Sequence, residues 1–311
     1  MEKNSVITVI TPTYNRAHTL DRVYESLKKQ SFKQFMWIIM DDGSTDSTSQ
    51  LVQKYIDENS IPIEYYKGKN RHKFITVFEG IKKVKTPYFV IIDSDDSWPE
   101  NSFEILYKEV CSIENQDQYI GVIGHSADTE GNLVGSFFPE NGFIGSILEM
   151  RYKYKVKGDK NGIFITKSYQ RELDKFDYLI YENKGYIPQS VFFSIYDAKG
   201  LKTKFINKII RTYHKDDSDS ESVSNTRWKG KNIFGLREGY KAMLNNYSYQ
   251  LLSYPKTLLR NLIGFQFYSF LNKRSVTSNL STLKNPLIKS ISIFTLPISY
   301  IYYLIKKADK S

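Results

Sequence analysis

Three carboxylates within four residues, Asp93, Asp95 and Asp96, follow directly on the apolar run 88–92. A run rich in β-branched and aromatic residues that ends in a polar cluster reads as a buried strand delivering its acids to the carboxyl edge of a sheet. Carboxylates so close repel one another where the dielectric is low, so they call for a divalent cation, or the hydroxyls of a ligand, between them. A plainer reading stands beside this one. Asp93-Ser94-Asp95-Asp96 also suits a turn that caps a helix beginning near Pro99. What else the chain brings to the same edge decides between the two.

Along the chain before the acids, strands and helices alternate. The run 6–10 (VITVI) stops at Thr11-Pro12-Thr13-Tyr14-Asn15-Arg16, and Leu20, Val23, Tyr24 and Leu27 then fall at helical spacing. The run 35–40 stops at Asp41-Asp42-Gly43-Ser44-Thr45-Asp46, and Leu51, Val52, Tyr55 and Ile56 share another helical face. Residues 61–66 form a third strand, 75–84 a further helix and 88–92 the strand before the acids. This succession predicts an α/β fold with a mostly parallel sheet and helices on both faces, whose ligands bind at the carboxyl ends of the strands.

Each loop cluster at that edge has a chemical reading and a bland one. Tyr14 offers a face for a base to stack on, and Asp42 can accept a hydrogen bond from a ring N–H such as that of uracil. Arg16 and the basic loop 67–73, ending in Lys73, suit a diphosphate. The bland readings are a strand-to-helix turn at Gly43-Ser44, a helix cap at Asp46 and a solvated basic loop. No glycine-rich phosphate cradle occurs, which argues against an ATPase or a dehydrogenase.

Taken in order, the segments 6–16, 40–46 and 93–96 resemble the family 2 glycosyltransferases, which carry the GT-A nucleotide-sugar-binding fold. The match is close over the first third of the chain and looser to about residue 225. The resemblance implies an inverting transferase that uses a nucleoside-diphosphate sugar with Mn2+ or Mg2+. By position, Pro12, Tyr14 and Asp42 would hold the base, and Asp93 with Asp95 or Asp96 the ribose and metal, with Asn15, Arg16, Lys73 and Ser94 also in the donor site. His214, at the end of the strand-like run 205–214, would complete the metal shell, the competing reading being an ordinary loop histidine, and the Asp/Ser-rich run 216–225 would close over the donor. A general base is expected within 181–190, but Gln189 stands where the family has a glutamate, and an amide cannot take a proton. Glu182 or Asp177 then supplies the base, or activity is reduced or lost. The glycine-rich stretch 121–145 reads as turns between short strands on the acceptor side.

The chain carries 44 Lys and Arg against 34 acids, and 41% apolar residues give it ample material for a core. The charge is uneven. Residues 227–311 hold 14 basic residues against 2 acids, whereas the remainder holds 30 against 32. A domain boundary at 225/226 follows, with 1–225 the GT-A domain and 226–311 a basic, apolar-rich helical region. Helical stretches at 234–244, 251–271 and 286–305 interleave bases with long apolar runs, which favours a membrane surface over nucleic acid as the anionic partner. The competing reading packs these helices on the catalytic domain or on a second copy in a homo-oligomer. One cysteine, Cys111, excludes an internal disulfide. The amino-terminal residues lack a signal-peptide pattern, so a cytoplasmic protein peripheral to the inner face of the membrane is expected. The expected function is transfer from a nucleotide-sugar, a UDP-sugar given Tyr14 and Asp42, to a growing glycan or lipid-linked saccharide; the alternative is a nucleotide-sugar-binding scaffold without turnover.

Overall fold

Seven consecutive buried residues, Ile7–Thr13, form strand β1, and the site is laid out around its carboxyl end. The computed structural model describes residues 5–214 and 232–308. After β1 come α1 (Ala17–Lys28), β2 (Phe35–Asp41), α2 (Thr48–Glu58), β3 (Ile63–Lys67), α3 (Lys73–Lys83), β4 (Tyr88–Ile91) and α4 (Ser102–Cys111). Then follow β5 (Tyr119–Ala127), β6 (Phe143–Gly145), α5 (Ile147–Tyr152), β7 (Lys160–Ile165), α6 (Thr166–Leu173), α7 (Ser190–Ala198) and β8 (Lys202–Thr212). The last helices are α8 (Ile233–Asn246), α9 (Pro255–Leu271), α10 (Val276–Ser281) and α11 (Pro286–Ala308). The described strands form one sheet in the order β3-β2-β1-β4-β7-β5-β8-β6.

The first four strands are mutually parallel, so β1, β2 and β4 all end at one edge. Beyond β4 the sheet turns mixed, with β7 antiparallel to both β4 and β5 and with β8 parallel to β5. Sandwiched between helices, the parallel strands are apolar on both faces, and Leu20, Val23 and Leu27 of α1 are fully buried against them. Each such side chain contributes about 2 kcal/mol through lost apolar exposure. Tyr24 and Tyr55 stack with ring centroids 3.9 Å apart, which joins α1 to α2.

β1 runs through Pro12, where the sequence suggested that the strand would already have stopped. The physical reason is one-sided pairing. The Ile10 carbonyl accepts from the Ile92 N–H at 2.9 Å, so Ile10, and two residues on Pro12, turn their backbone toward β4. Pro12 has no N–H to offer the Ile92 carbonyl, so the β1–β4 ladder ends there while β2 continues alongside to Asp41. The chain after Ile92 is thereby released from the sheet into the turn that carries the acids.

The glycine-rich stretch is not a series of turns at its start. Residues up to Ala127 belong to the nine-residue strand β5, and a Cβ on Gly121 would lie 2.1 Å from the Ile163 carbonyl oxygen, so glycine there serves close strand approach. The described residues fall into two compact units. One runs to Ile180 and resumes with β8; the other comprises Tyr181–Lys199 and the helices after residue 231. Residues 181–199, which the sequence grouped with the first domain, therefore pack with the C-terminal helices. The run 216–225 lies outside the described residues.

In the second unit, Arg237 of α8 is buried with its guanidinium bonded to Ser269 Oγ at 3.0 Å and Asn279 Oδ1 at 2.8 Å. The helix α11 packs on α9 with its polar side inward. Ser292 and Ser299 are fully buried and Thr295 nearly so, with Gln266 Nε2 bonded to Ser292 Oγ at 2.7 Å and Thr295 Oγ1 at 3.1 Å. Phe294, Ile298, Ile301 and Ile305 are exposed, Phe294 by 81%. By length and composition α11 is the one helix among the described residues able to cross a membrane.

Candidate active site

Tyr14, Asp42 and Asp93 stand immediately past the ends of β1, β2 and β4, and the parallel register brings them to one edge. The turns between are braced by the polar residues that the sequence supplied. Asn15 adopts φ 53 and its Oδ1 accepts from the Thr45 N–H at 2.8 Å, while its own N–H donates to Ser44 Oγ at 2.9 Å. Its side-chain carbonyl thus holds the neighbouring loop. Asp46 accepts from the Thr48 N–H at 3.0 Å and the Ala17 N–H at 3.1 Å, so it tethers the starts of two helices.

Asp42 is buried, and its Oδ1 accepts from the Arg71 N–H and from the Thr76 hydroxyl, both at 2.8 Å. Burial pushes its carboxyl up from the ordinary range, against those hydrogen bonds. The basic loop is thereby fastened over β2. Gly43 permits the approach, with φ +88 and space so tight that a Cβ would lie 2.9 Å from the Asn70 nitrogen. His72 then takes φ 70 and ψ 150, a conformation that L residues adopt only when their surroundings impose it, and α3 starts at Lys73.

The acids follow β4 in a turn closed by the Asp96 N–H donating to the Asp93 carbonyl at 3.2 Å. One oxygen from each of Asp93, Asp95 and Asp96 lies within 4.8 Å of the others. Ser94, between them, is buried. Lys73 Nζ is 2.7 Å from Asp93 Oδ1. Burial raises the Asp93 carboxyl, but Lys73, Arg211 and Arg16 outweigh it and hold the group below the usual range. Burial and the Asp93 charge push Asp95 up. Burial pushes Asp96 up to about 7, Arg211 opposing and the other two acids adding to the rise.

The end of β8 completes this side. Ser97 and Thr212 exchange backbone hydrogen bonds at 3.2 and 2.8 Å, which brings Arg211 and His214 beside the acids. Arg211 Nε lies 3.1 Å from Asp96 Oδ2, though without the alignment for a hydrogen bond, and its other end reaches Asp159 Oδ2 at 2.8 Å. Sequence reasoning passed over Arg211; its one signal is an arginine interrupting the apolar run of β8. His214 touches Asp96 through its backbone N–H at 3.2 Å, while its ring Nε2 pairs with Ser97 Oγ at 2.8 Å. Its ring nitrogens are not among the ligand atoms that cluster with the three aspartates.

These residues fit a hard divalent cation. The donors are carboxylate oxygens, as Mn2+ and Mg2+ prefer, and Asp96 Oδ2 is a buried oxygen with no hydrogen-bond donor. Of the expected base residues, Asp177 is exposed between α6 and a 3-10 turn in the first unit. Glu182 is half-buried in the second unit, where Gln189 precedes α7 and its backbone carbonyl accepts from Phe192 and Phe193 at 3.0 Å.

The glycosyl transferase family 2 profile matches residues 8–174, more than half of the chain. The chain belongs to glycosyl transferase family 2. A relative from Campylobacter jejuni, GalNAc(5)-diNAcBac-PP-undecaprenol beta-1,3-glucosyltransferase, is 23% identical over 299 residues, covering 92% of this chain and 88% of that one. Matches to two other glycosyltransferases, from Streptococcus pneumoniae and Mycoplasma genitalium, span only about half of those proteins, 43% and 52%. S. aureus TarS in complex with UDP-GlcNAc superposes with a TM-score of 0.60 at 16% identity, over 94% of this chain and 89% of that one. A Pyrobaculum calidifontis mannosyltransferase in complex with GDP-Man and Mn2+ gives 0.50 at 13% identity, over 97% and 84%. These likenesses establish the GT-A fold.

Proposed function

We propose that the protein is an inverting, metal-dependent glycosyltransferase that moves a sugar from a UDP-sugar to a hydroxyl of a growing glycan or a lipid-linked saccharide. The observation that carries this reading is the Asp93, Asp95 and Asp96 cluster on the edge that also presents Tyr14 and Asp42. The donor's base stacks on Tyr14 beside Pro12, and its ring N–H meets Asp42. Arg16 and Lys73 face the diphosphate. Asp93, Asp95 and Asp96 would hold Mn2+ or Mg2+, with His214 alongside; when bound, that ion supplies positive charge to the departing diphosphate. Glu182, or in its place Asp177, takes the proton of the acceptor hydroxyl. Residues 1–225 carry the chemistry and 226–311 attach the protein to the cytoplasmic face of a membrane. What supports attachment is the inverted burial of α11, apolar outward, in a segment with a large excess of basic residues.

Turnover of the purified protein with a panel of nucleotide sugars and Mn2+ tests the proposal. Wild type is expected to transfer or slowly hydrolyse one donor, Asp95→Ala to lose activity by about a hundredfold or more, and Glu182→Gln to lose it with donor affinity kept. Binding of UDP without turnover of any donor would instead support the scaffold reading that Gln189 motivates.

A further inference from the structure

Lys73 and Arg211 both bring positive charge to the acids, but they are held very differently. Arg211 is 3% exposed and paired at both ends, with Asp96 and Asp159. Lys73 is 39% exposed and pairs with Asp93, itself 31% exposed. Its backbone is fixed. Asp42 Oδ1 holds the Arg71 N–H two residues before it and the Thr76 hydroxyl three residues after it, both at 2.8 Å. What can move is the four-carbon side chain, and its rotation opens no core.

Asp93 Oδ1 cannot serve an ammonium at 2.7 Å and a divalent cation together without placing the two positive charges a few ångströms apart. We propose that Lys73 is an exchangeable counter-ion: its ammonium holds Asp93 until a divalent cation and the donor's diphosphate bind together, and then turns from the carboxylate to the phosphate. This rests on the donor reading above. The exchange makes each ligand weak alone and strong with the other. The cation must displace Lys73, and phosphate oxygens then offer the displaced ammonium a new anionic partner. A cation that binds tightly only with its nucleotide is not captured unproductively.

The test is Mn2+ affinity, measured by titration calorimetry or by the spin-resonance signal of free Mn2+, for wild type, Lys73→Met and Arg71→Met, each with and without UDP. Lys73→Met is expected to bind Mn2+ alone about fivefold more tightly, the scale of one partly exposed ion pair. The factor by which UDP improves Mn2+ binding should fall about tenfold in the same variant. Arg71→Met removes a neighbouring charge that faces Glu79 at 3.7 Å, and should leave affinity for Mn2+ alone as in wild type. Unchanged or weaker Mn2+ binding by Lys73→Met, with its circular dichroism intact, would overturn the exchange, as would equal tightening by Arg71→Met. Absence of Mn2+ binding in all three proteins, with UDP as well, would overturn the donor reading and the exchange with it.

Discussion

Arg211 Nε lies 3.1 Å from Asp96 Oδ2, with 3% and 1% of the two side chains exposed. A buried pair of this kind is expensive to break, because the remaining charge has neither water nor partner; removing one member costs about 3 kcal/mol. Asp96 has an escape, since burial already pushes its carboxyl up to about 7 and it can take a proton. Arg211→Met is therefore expected to be destabilised strongly at about pH 8 and much less at about pH 5.5. Urea midpoints of variant and wild type at the two pH values check this. An equal deficit at both would mean that Arg211 stabilises through packing and not through Asp96.

Asp96 also sets the sign of a metal effect. Its folded value of about 7 lies above the ordinary 3.8, so between these values the folded state keeps a proton that the unfolded chain has released. Its contribution is thus neutral below that window, becomes increasingly unfavourable as pH rises through it, and stays so above it. A cation bound by the ionised carboxylates reverses this cost. The rise in melting temperature on adding Mn2+ in place of a chelator should accordingly be larger at about pH 8 than at about pH 6. A rise independent of pH would separate the metal from Asp96.

Gly43 is the backbone position on which the basic loop depends. With φ +88 and the Asn70 nitrogen 2.9 Å from where a Cβ would sit, alanine meets both strain and collision. Gly43→Ala should cost about 2 kcal/mol, partly recovered by the loop lifting from Asp42. UDP affinity should fall with stability, whereas Gly131→Ala, also at positive φ but with nothing nearby, should leave UDP affinity unchanged. Calorimetry with UDP on the two variants distinguishes them.

What the sequence made legible follows from what each feature depends on. β1, β2 and β4 are apolar runs cut off by loop formers, a local property, so the carboxyl edge and its acids could be placed before any fold was known. β7 and α6 were not foreseen, because residues 160–173 mix polarities and take their form from neighbours on both sides. Arg211 reaches Asp96 only because Ser97 pairs with Thr212 across a long stretch of chain, and no local pattern announces that. Asn15 reads as a loop residue from its position, but that its side chain braces Thr45 across the neighbouring loop is a tertiary fact no local pattern shows. Periodicity in α11 separates two faces, but which face turns inward is decided by Gln266 of α9, which binds Ser292 and Thr295.

That inward polar face gives α11 its clearest consequence. A helix on a water-facing surface buries its apolar side, whereas here Ser292, Thr295 and Ser299 are inside while Phe294, Ile298 and Ile301 are exposed. Small hydroxyl residues bonded between helices, with apolar side chains outward, suit helices packed against lipid. Lys306 and Lys307 at the end of α11 suit anionic headgroups. The protein should float with vesicles of anionic phospholipid, less with zwitterionic ones, and less again as salt is raised. Phe294→Asp with Ile301→Asp should abolish flotation while UDP affinity is unchanged, because neither side chain is packed in the fold. Should the double variant still float, lipid contact lies elsewhere; should wild type stay with the buffer and sediment as a dimer that the substitutions dissociate, this face belongs to a second copy of the chain.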